Sequence, residues 1–125
     1  MSYLKSFTKV LENFINELSE MYPDDNHIEM AKNTIYLLKK TNPRKLLDFF
    51  YEYLCLPYET KIINKDETFF FNKNYDDEVS EYVKSLNVIT NLKKYWSSMS
   101  EKTKETIWLY MNLMVKLSKK YKNAV

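Results

Sequence analysis

The chain has 125 residues, of which 45% are hydrophobic and 29% are charged, with no glycine, one cysteine and a net charge of +2. This length is typical of one hydrophobic core, and the apolar content is too high for a disordered chain, so we expect a single domain over residues 1–125. Because glycine builds most phosphate-binding loops and nucleophile elbows, its absence excludes those common nucleotide-binding and catalytic sites.

Two helices are predicted in the first third of the chain. Apolar residues spaced by three and four positions favour a first helix over residues 3–21, which Pro23 ends. A second helix is expected to begin after a polar cap within residues 24–26 and to bury the apolar stripe from Ile28 to Leu38.

A third helix is predicted to begin at Asn42 and Pro43. The Asn side chain can accept from free amide groups, and proline fits the first helical position. Leu56 and Pro57 end this helix, and the helical period is lost over residues 58–74. Within that irregular segment, residues 61–64 and 67–71 flank a turn and favour a short hairpin.

Two more helices complete an expected all-α bundle of about five helices. The fourth begins near residue 75 with three acidic residues in its first turn and extends towards Trp96, a predicted core residue. The last begins after a cap at Ser98 or Ser100. Nine of the eleven residues from 107 to 117 are apolar, so we expect this helix to be central in the core rather than covered by another chain.

The residues that carry chemistry are few. His27 is the single histidine, and a metal site would need a second nitrogen or sulfur ligand, which only Cys55 could offer. The apolar neighbours of Cys55 should raise its pKa and make the thiol inert. We therefore expect no enzyme activity, no catalytic residue, and no cofactor, metal or small-molecule substrate. One cysteine, no signal peptide and a longest apolar run of five residues indicate a reducing, intracellular (cytoplasmic) location without membrane contact.

Charge is distributed unevenly along the chain. Residues 1–81 hold ten basic and fifteen acidic residues, whereas residues 82–125 hold nine and two. Lysines interleaved with aromatic residues in this basic last third could bind phosphates by charge and bases by stacking. The nucleic-acid candidates are Lys93, Lys94, Lys116, Lys119, Lys120 and Lys122. The favoured interpretation is that these charges are solvated or neutralised by the acidic part of the chain.

A second candidate surface is apolar. Three consecutive phenylalanines cannot all lie in water without cost, so at least two should pack into the core or against a partner. Exposed parts of the last helix could add aromatic and methionine contacts, although the core is the preferred location for its tryptophan. The protein-interaction candidates are Phe69, Phe70, Phe71, Trp108, Met111 and Met114.

Several short motifs are similar to those of a group of viral proteins. They are YP at residues 22–23, INKDE at 63–67 leading into FF at 69–70, LKKYW at 92–96 and IWLY at 107–110. Together they resemble small uncharacterised helical proteins of the nucleocytoplasmic large DNA (giant) viruses. The resemblance implies an A/T-rich viral genome and a role in the virion or in a viral assembly, and it carries no catalytic residue over. An A/T-rich protist would explain the composition equally well.

The sequence thus favours a non-catalytic structural or protein-interaction protein, most simply a component of a viral particle or assembly. Its partner would be another protein or a second copy of the chain. The alternative is an accessory protein that binds nucleic acid or a ribonucleoprotein through the basic last third.

Overall fold

The structure, a computed structural model, describes residues 2–68 and 92–124. All regular structure in these two ranges is helical, which confirms the predicted all-α fold. The elements are α1 (Tyr3–Met21), α2 (Asn26–Thr41), α3 (Pro43–Phe50), a π-helical turn (Tyr51–Cys55), α4 (Leu56–Ile63), α5 (Lys93–Trp96) and α6 (Glu101–Ala124). No helix in the described ranges is long and apolar enough to cross a membrane.

Helix α1 has the predicted bounds. Ser2 caps its first turn, since the Oγ atom accepts from the amide of Lys5 at 3.1 Å. The helix ends where the amide of Tyr22 donates to the carbonyl of Leu18, directly before Pro23. Because proline cannot donate a backbone hydrogen bond, the next residues turn the chain towards α2.

Helix α3 confirms the prediction for Pro43 and corrects the one for Asn42. Pro43 occupies the first helical position, but the Asn42 side chain makes no capping hydrogen bond. Its backbone carbonyl instead accepts from the amide of Lys45 at 3.1 Å. The fixed φ of proline therefore starts this helix without side-chain capping.

The helix that we expected to end at Pro57 continues through it. Leu56 donates its amide to the carbonyl of Tyr51, a hydrogen bond that spans five residues and widens one turn into a π-helix. This wider turn accommodates a proline ring, which would clash with the carbonyl four residues earlier in a regular α-helix. Residues 58–63 are consequently helical, so the predicted loss of helical period is wrong over that range, and so is the first strand of the predicted hairpin, residues 61–64. Residues 69–74 of the predicted irregular segment, and with them most of the second predicted strand, residues 67–71, lie outside the described residues.

The predicted turn at Lys65 and Asp66 is the end of α4 rather than a hairpin loop. Lys65 has a φ of 54° and donates its amide to the carbonyl of Ile62, while the Asp66 amide donates to the carbonyl of Lys61. These two bonds form the Schellman motif, in which glycine usually takes the left-handed position. In a chain without glycine, lysine takes that position.

The start of α6 distinguishes between the two predicted caps. Ser100 is the cap, because its Oγ atom accepts from the amide of Thr103 at 3.1 Å. Ser98 donates its hydroxyl to the carbonyl of Tyr95 instead. Of the predicted fourth helix, residues 75–91 lie outside the described ranges, and α5 forms its described end.

The core lies between α1, α2, α3 and α6, and α4 packs on α6 beside it. Aromatic pairs join these helices. Phe7 meets Phe50 edge-on at a centroid distance of 5.4 Å, and Phe14 stacks on Tyr110 at 5.1 Å. Trp96 is buried at the end of α5, as predicted. The outer faces of α2, α4 and α6 carry exposed apolar side chains.

Candidate functional site

The structure corrects the expectation that the predicted apolar anchors on α6 are partly exposed. Trp108, Met111 and Met114 are all at most 3% exposed, so their side chains fill the core. Trp108 was expected there, and its ring meets that of Trp96 edge-on. The other anchors, Phe69, Phe70 and Phe71, lie outside the described residues.

Three of the six candidate lysines for nucleic-acid binding are paired within the chain. Lys94 lies 3.0 Å from Asp25, Lys122 lies 2.6 Å from Asp48, and Lys119 pairs with Glu59. Each pair joins the basic last third to the acidic first part, which supports self-neutralisation for these three residues.

The remaining three candidate lysines are exposed. Lys93, Lys116 and Lys120 have no ion-pair partner among the residues that the structure describes. Lys120 lies over the ring of Tyr3 at 5.9 Å from its centroid. The six lysines therefore do not act as one uncompensated basic surface.

A buried carboxylate, Asp25, is the strongest electrostatic feature of the described structure. Its Oδ1 atom caps α2 by accepting from the amides of His27 at 2.9 Å and Ile28 at 3.2 Å. Its Oδ2 atom accepts from the Tyr95 hydroxyl and lies 3.0 Å from Lys94 Nζ. A carboxylate has about four lone-pair positions, so these contacts use its hydrogen-bonding capacity in full.

These contacts determine the charge state of Asp25. Burial raises the pKa of the carboxyl, but hydrogen bonds from Tyr95, Lys94 and the Ile28 amide outweigh it and lower the pKa to about 2. The bond to Asp25 in turn raises the pKa of Tyr95 and of Lys94. The cluster therefore ties the start of α2 to α5, and its saturated carboxylate makes it a structural lock rather than a reactive site.

Cys55 is buried, and His27 is not grouped with further metal-ligating side chains among the described residues. Burial raises the pKa of the Cys55 thiol, as predicted, and the side chain is 1% exposed. His27 lies at the exposed start of α2. Within the described ranges, no three His, Cys, Asp or Glu side chains are grouped as metal ligands.

We expect a thiol reagent such as dithionitrobenzoate to label Cys55 only as fast as the native protein opens. The thiol is buried at the last residue of the π-helical turn and is protonated at neutral pH, and both conditions slow its reaction. Labelling in urea should be immediate. Equally fast labelling of native and unfolded protein would contradict the buried position of this residue.

Helices α4 and α6 frame a groove on the surface, and side-chain contacts hold its two walls together. The Asn112 side chain on α6 donates to the Ile62 carbonyl on α4 at 3.2 Å and to the Trp108 carbonyl at 2.9 Å. Ion pairs of α6 with Glu59 and with Lys65, just after α4, hold the two helices together on either side of this contact. As the chain advances along α4, its contacts move backwards along α6, so the two helices run antiparallel.

The surface of this groove is apolar and open. Ile63 on α4 is 51% exposed, while Leu109 and Leu113 on α6 are 66% and 43% exposed. Together they line a cavity of about 640 Å³, which we call the α4–α6 groove. Three lysines and one glutamate border it.

Sequence reasoning missed the groove residues. The apolar run over residues 107–117 predicted partner contacts on α6, but we assigned those contacts to the residues that face the core. Leu109 and Leu113 lie four residues apart on the opposite face, so helical spacing groups them together but does not show which face is buried.

A second apolar patch lies on α2. Met30, Tyr36 and Leu37 are more than half exposed, and Lys40 lies over the Tyr36 ring at 4.3 Å. All three residues belong to one helix, and none of them lines the α4–α6 groove. The α4–α6 groove, which is concave and framed by two helices, is the better candidate for a binding site.

No family model matches the chain, and comparison with curated proteins and with solved structures finds no match either. The function is therefore inferred from the α4–α6 groove and the rest of the described surface.

Proposed function

We propose that the protein is a non-catalytic protein-interaction domain that binds another protein through the α4–α6 groove. The observation that carries this proposal is the exposure of Ile63, Leu109 and Leu113 on one concave surface. When a partner covers exposed aliphatic side chains, the binding free energy becomes more favourable by about 25 cal/mol per Å² of apolar area removed from water. Contacts between α4 and α6 already fix the groove, so binding requires little reorganisation.

The proposal extends to the setting suggested by the resemblance to giant-virus proteins. In that setting the domain would act inside the cell, as a component of a viral particle or of a viral assembly. A protein whose conspicuous surface is a docking groove suits such a role, since assemblies need contact surfaces rather than reactive groups.

Nucleic-acid binding is the less favoured alternative because half of the candidate lysines pair with carboxylates of the same chain. Binding to phosphates would have to compete with those pairs. The chain also contains few guanidinium groups, which make the bidentate contacts with phosphate.

A fourfold substitution tests this alternative. Changing Lys116, Lys119, Lys120 and Lys122 together to glutamine should leave the melting midpoint nearly unchanged, because exposed ion pairs contribute little to stability. Wild-type protein should show no salt-sensitive affinity for DNA or RNA in an anisotropy titration. Nucleic-acid affinity that the four substitutions weaken, with a salt slope reduced by about 0.7 to 0.9 per lost contact, would contradict the proposed function.

Photo-cross-linking in native cells tests the docking function itself. A photoreactive phenylalanine analogue placed at Leu109 should give a discrete protein adduct, because this side chain, at 66% exposure, is the most exposed of the aliphatic side chains that line the groove. The matched control is the same analogue at Leu37, an equally exposed leucine on α2. An adduct sensitive to nuclease, or equal adducts from both positions, would count against the proposal.

A further inference from the structure

The α4–α6 groove changes from apolar to basic along α6. Leu109, Leu113, Lys116 and Lys120 follow one another at spacings of four, three and four residues, so they lie on a single face of the helix. This face spans eleven residue steps, which is about 16 Å or three helical turns. A matching occupant is a segment of similar length with an apolar stripe.

Among the described residues, the positive charge beside this stripe is largely uncompensated. Glu59 is the one acidic residue among the described side chains that line the groove, and it already pairs with Lys119. Lys116 and Lys120 have no ion-pair partner among the described residues. An occupant with carboxylates next to its apolar stripe would therefore complement the groove.

The groove walls also restrict the backbone conformation of the occupant. Both walls are helices whose backbone groups bond internally, so they offer no strand edge to which an extended peptide could pair. The described residues that line the groove include no aromatic side chain, which disfavours both polyproline segments and stacked nucleobases. A helix satisfies its own backbone hydrogen bonds and needs only side-chain contacts, as in other helix-in-groove complexes.

We infer that the occupant of the α4–α6 groove is an acidic amphipathic α-helix supplied by another protein. This inference rests on the proposed docking function and adds the chemistry of the partner. The apolar stripe of that helix packs on Ile63, Leu109 and Leu113, and its carboxylates pair with Lys116 and Lys120.

Selection from a random peptide library, with the full-length protein as bait, tests the inference. Peptides retained by wild type should carry apolar residues at spacings of three and four, together with aspartate or glutamate. Leu109→Asp should weaken the best of them about thirtyfold, the size expected for the loss of an apolar hot-spot contact. Leu37→Asp on α2 is the matched control and should leave their affinity unchanged.

A bait in which the charge of the two groove lysines is reversed tests the predicted charge of the partner helix more sharply than Leu109→Asp does. Lys116→Glu with Lys120→Glu should reject the acidic peptides and select helical peptides with lysine or arginine in their place. Both lysines are exposed, so the melting midpoint of this variant should match that of wild type. Selection of the same peptides by both baits would overturn the inference.

Other occupants give recognisably different results. Basic, proline-rich or non-helical peptides from wild type would overturn the inference and leave the docking function standing. A cross-linked homodimer, or groove-dependent binding to anionic lipid vesicles with no peptide retained, would also overturn it. Loss of both the retained peptides and the Leu109 cross-link would overturn the inference and the docking function together.

Discussion

Replacing Trp108 with alanine should lower the free energy of unfolding by about 3 to 5 kcal/mol. The ring is 3% exposed and meets Trp96 edge-on with a centroid distance of 5.5 Å, so truncation leaves a large cavity beside a second buried ring. Urea denaturation followed by circular dichroism at 222 nm measures the change without depending on tryptophan fluorescence.

Leu109 is the matched control, since it is adjacent on α6 and is exposed. Leu109→Ala should change stability by no more than about 0.5 kcal/mol, as is usual for surface positions. Equal midpoints for Trp108→Ala and wild type would show that α6 presents a different face to the core.

Replacing Asp25 with alanine should cost about 2 to 4 kcal/mol. The substitution removes a helix cap, worth about 0.5 to 2 kcal/mol, and charge-assisted hydrogen bonds, worth about 1.5 to 3 kcal/mol. It also leaves the Tyr95 hydroxyl without its acceptor at the contact between α2 and α5. Asp24→Ala is the matched control, because Asp24 is exposed and adjacent to the cap, and it should be nearly neutral.

The cost of Asp25→Ala should also depend on pH. The carboxyl has a pKa of about 2 in the folded protein, below the value of about 3.9 for an unfolded aspartate. Its stabilising contribution is therefore complete above pH 5 and decreases as the pH falls towards 2. Denaturation at pH 7 and pH 3 should show a smaller difference between wild type and variant at pH 3. A constant difference would mean that the folded carboxyl is not held in its charged form.

Local signals made most of the described fold predictable. The apolar spacing over residues 3–21 and the position of Pro23 predicted the bounds of α1, while the polar residues 24–26 and Pro43 marked the next two helix starts. The failure at Pro57 has a physical cause. Tertiary packing keeps the segment helical, and the backbone accommodates Pro57 by widening one turn into a π-helix. Helical periodicity alone does not reveal that packing.

The candidate site was less predictable, because it depends on contacts between distant parts of the chain. The groove forms where the exposed face of α6 meets α4, and the sequence analysis placed most of α4 in an irregular segment. The pairing of Lys119 with Glu59 and of Lys94 with Asp25 joins residues far apart in sequence. Composition indicates that the basic and acidic regions can neutralise each other. It does not identify which lysines remain without an ion-pair partner among the described residues.

Calorimetric titration of the protein cross-linked at Leu109 tests the docking function most directly. Wild type, Leu109→Asp and the control Leu37→Asp are titrated with that purified partner, and their melting midpoints are measured in parallel. We predict that Leu109→Asp raises the Kd about thirtyfold, as expected for the loss of an apolar hot-spot contact, while Leu37→Asp and all three midpoints stay close to wild type. An unchanged Kd for Leu109→Asp, or an equal loss of affinity for both variants, would contradict binding through the α4–α6 groove.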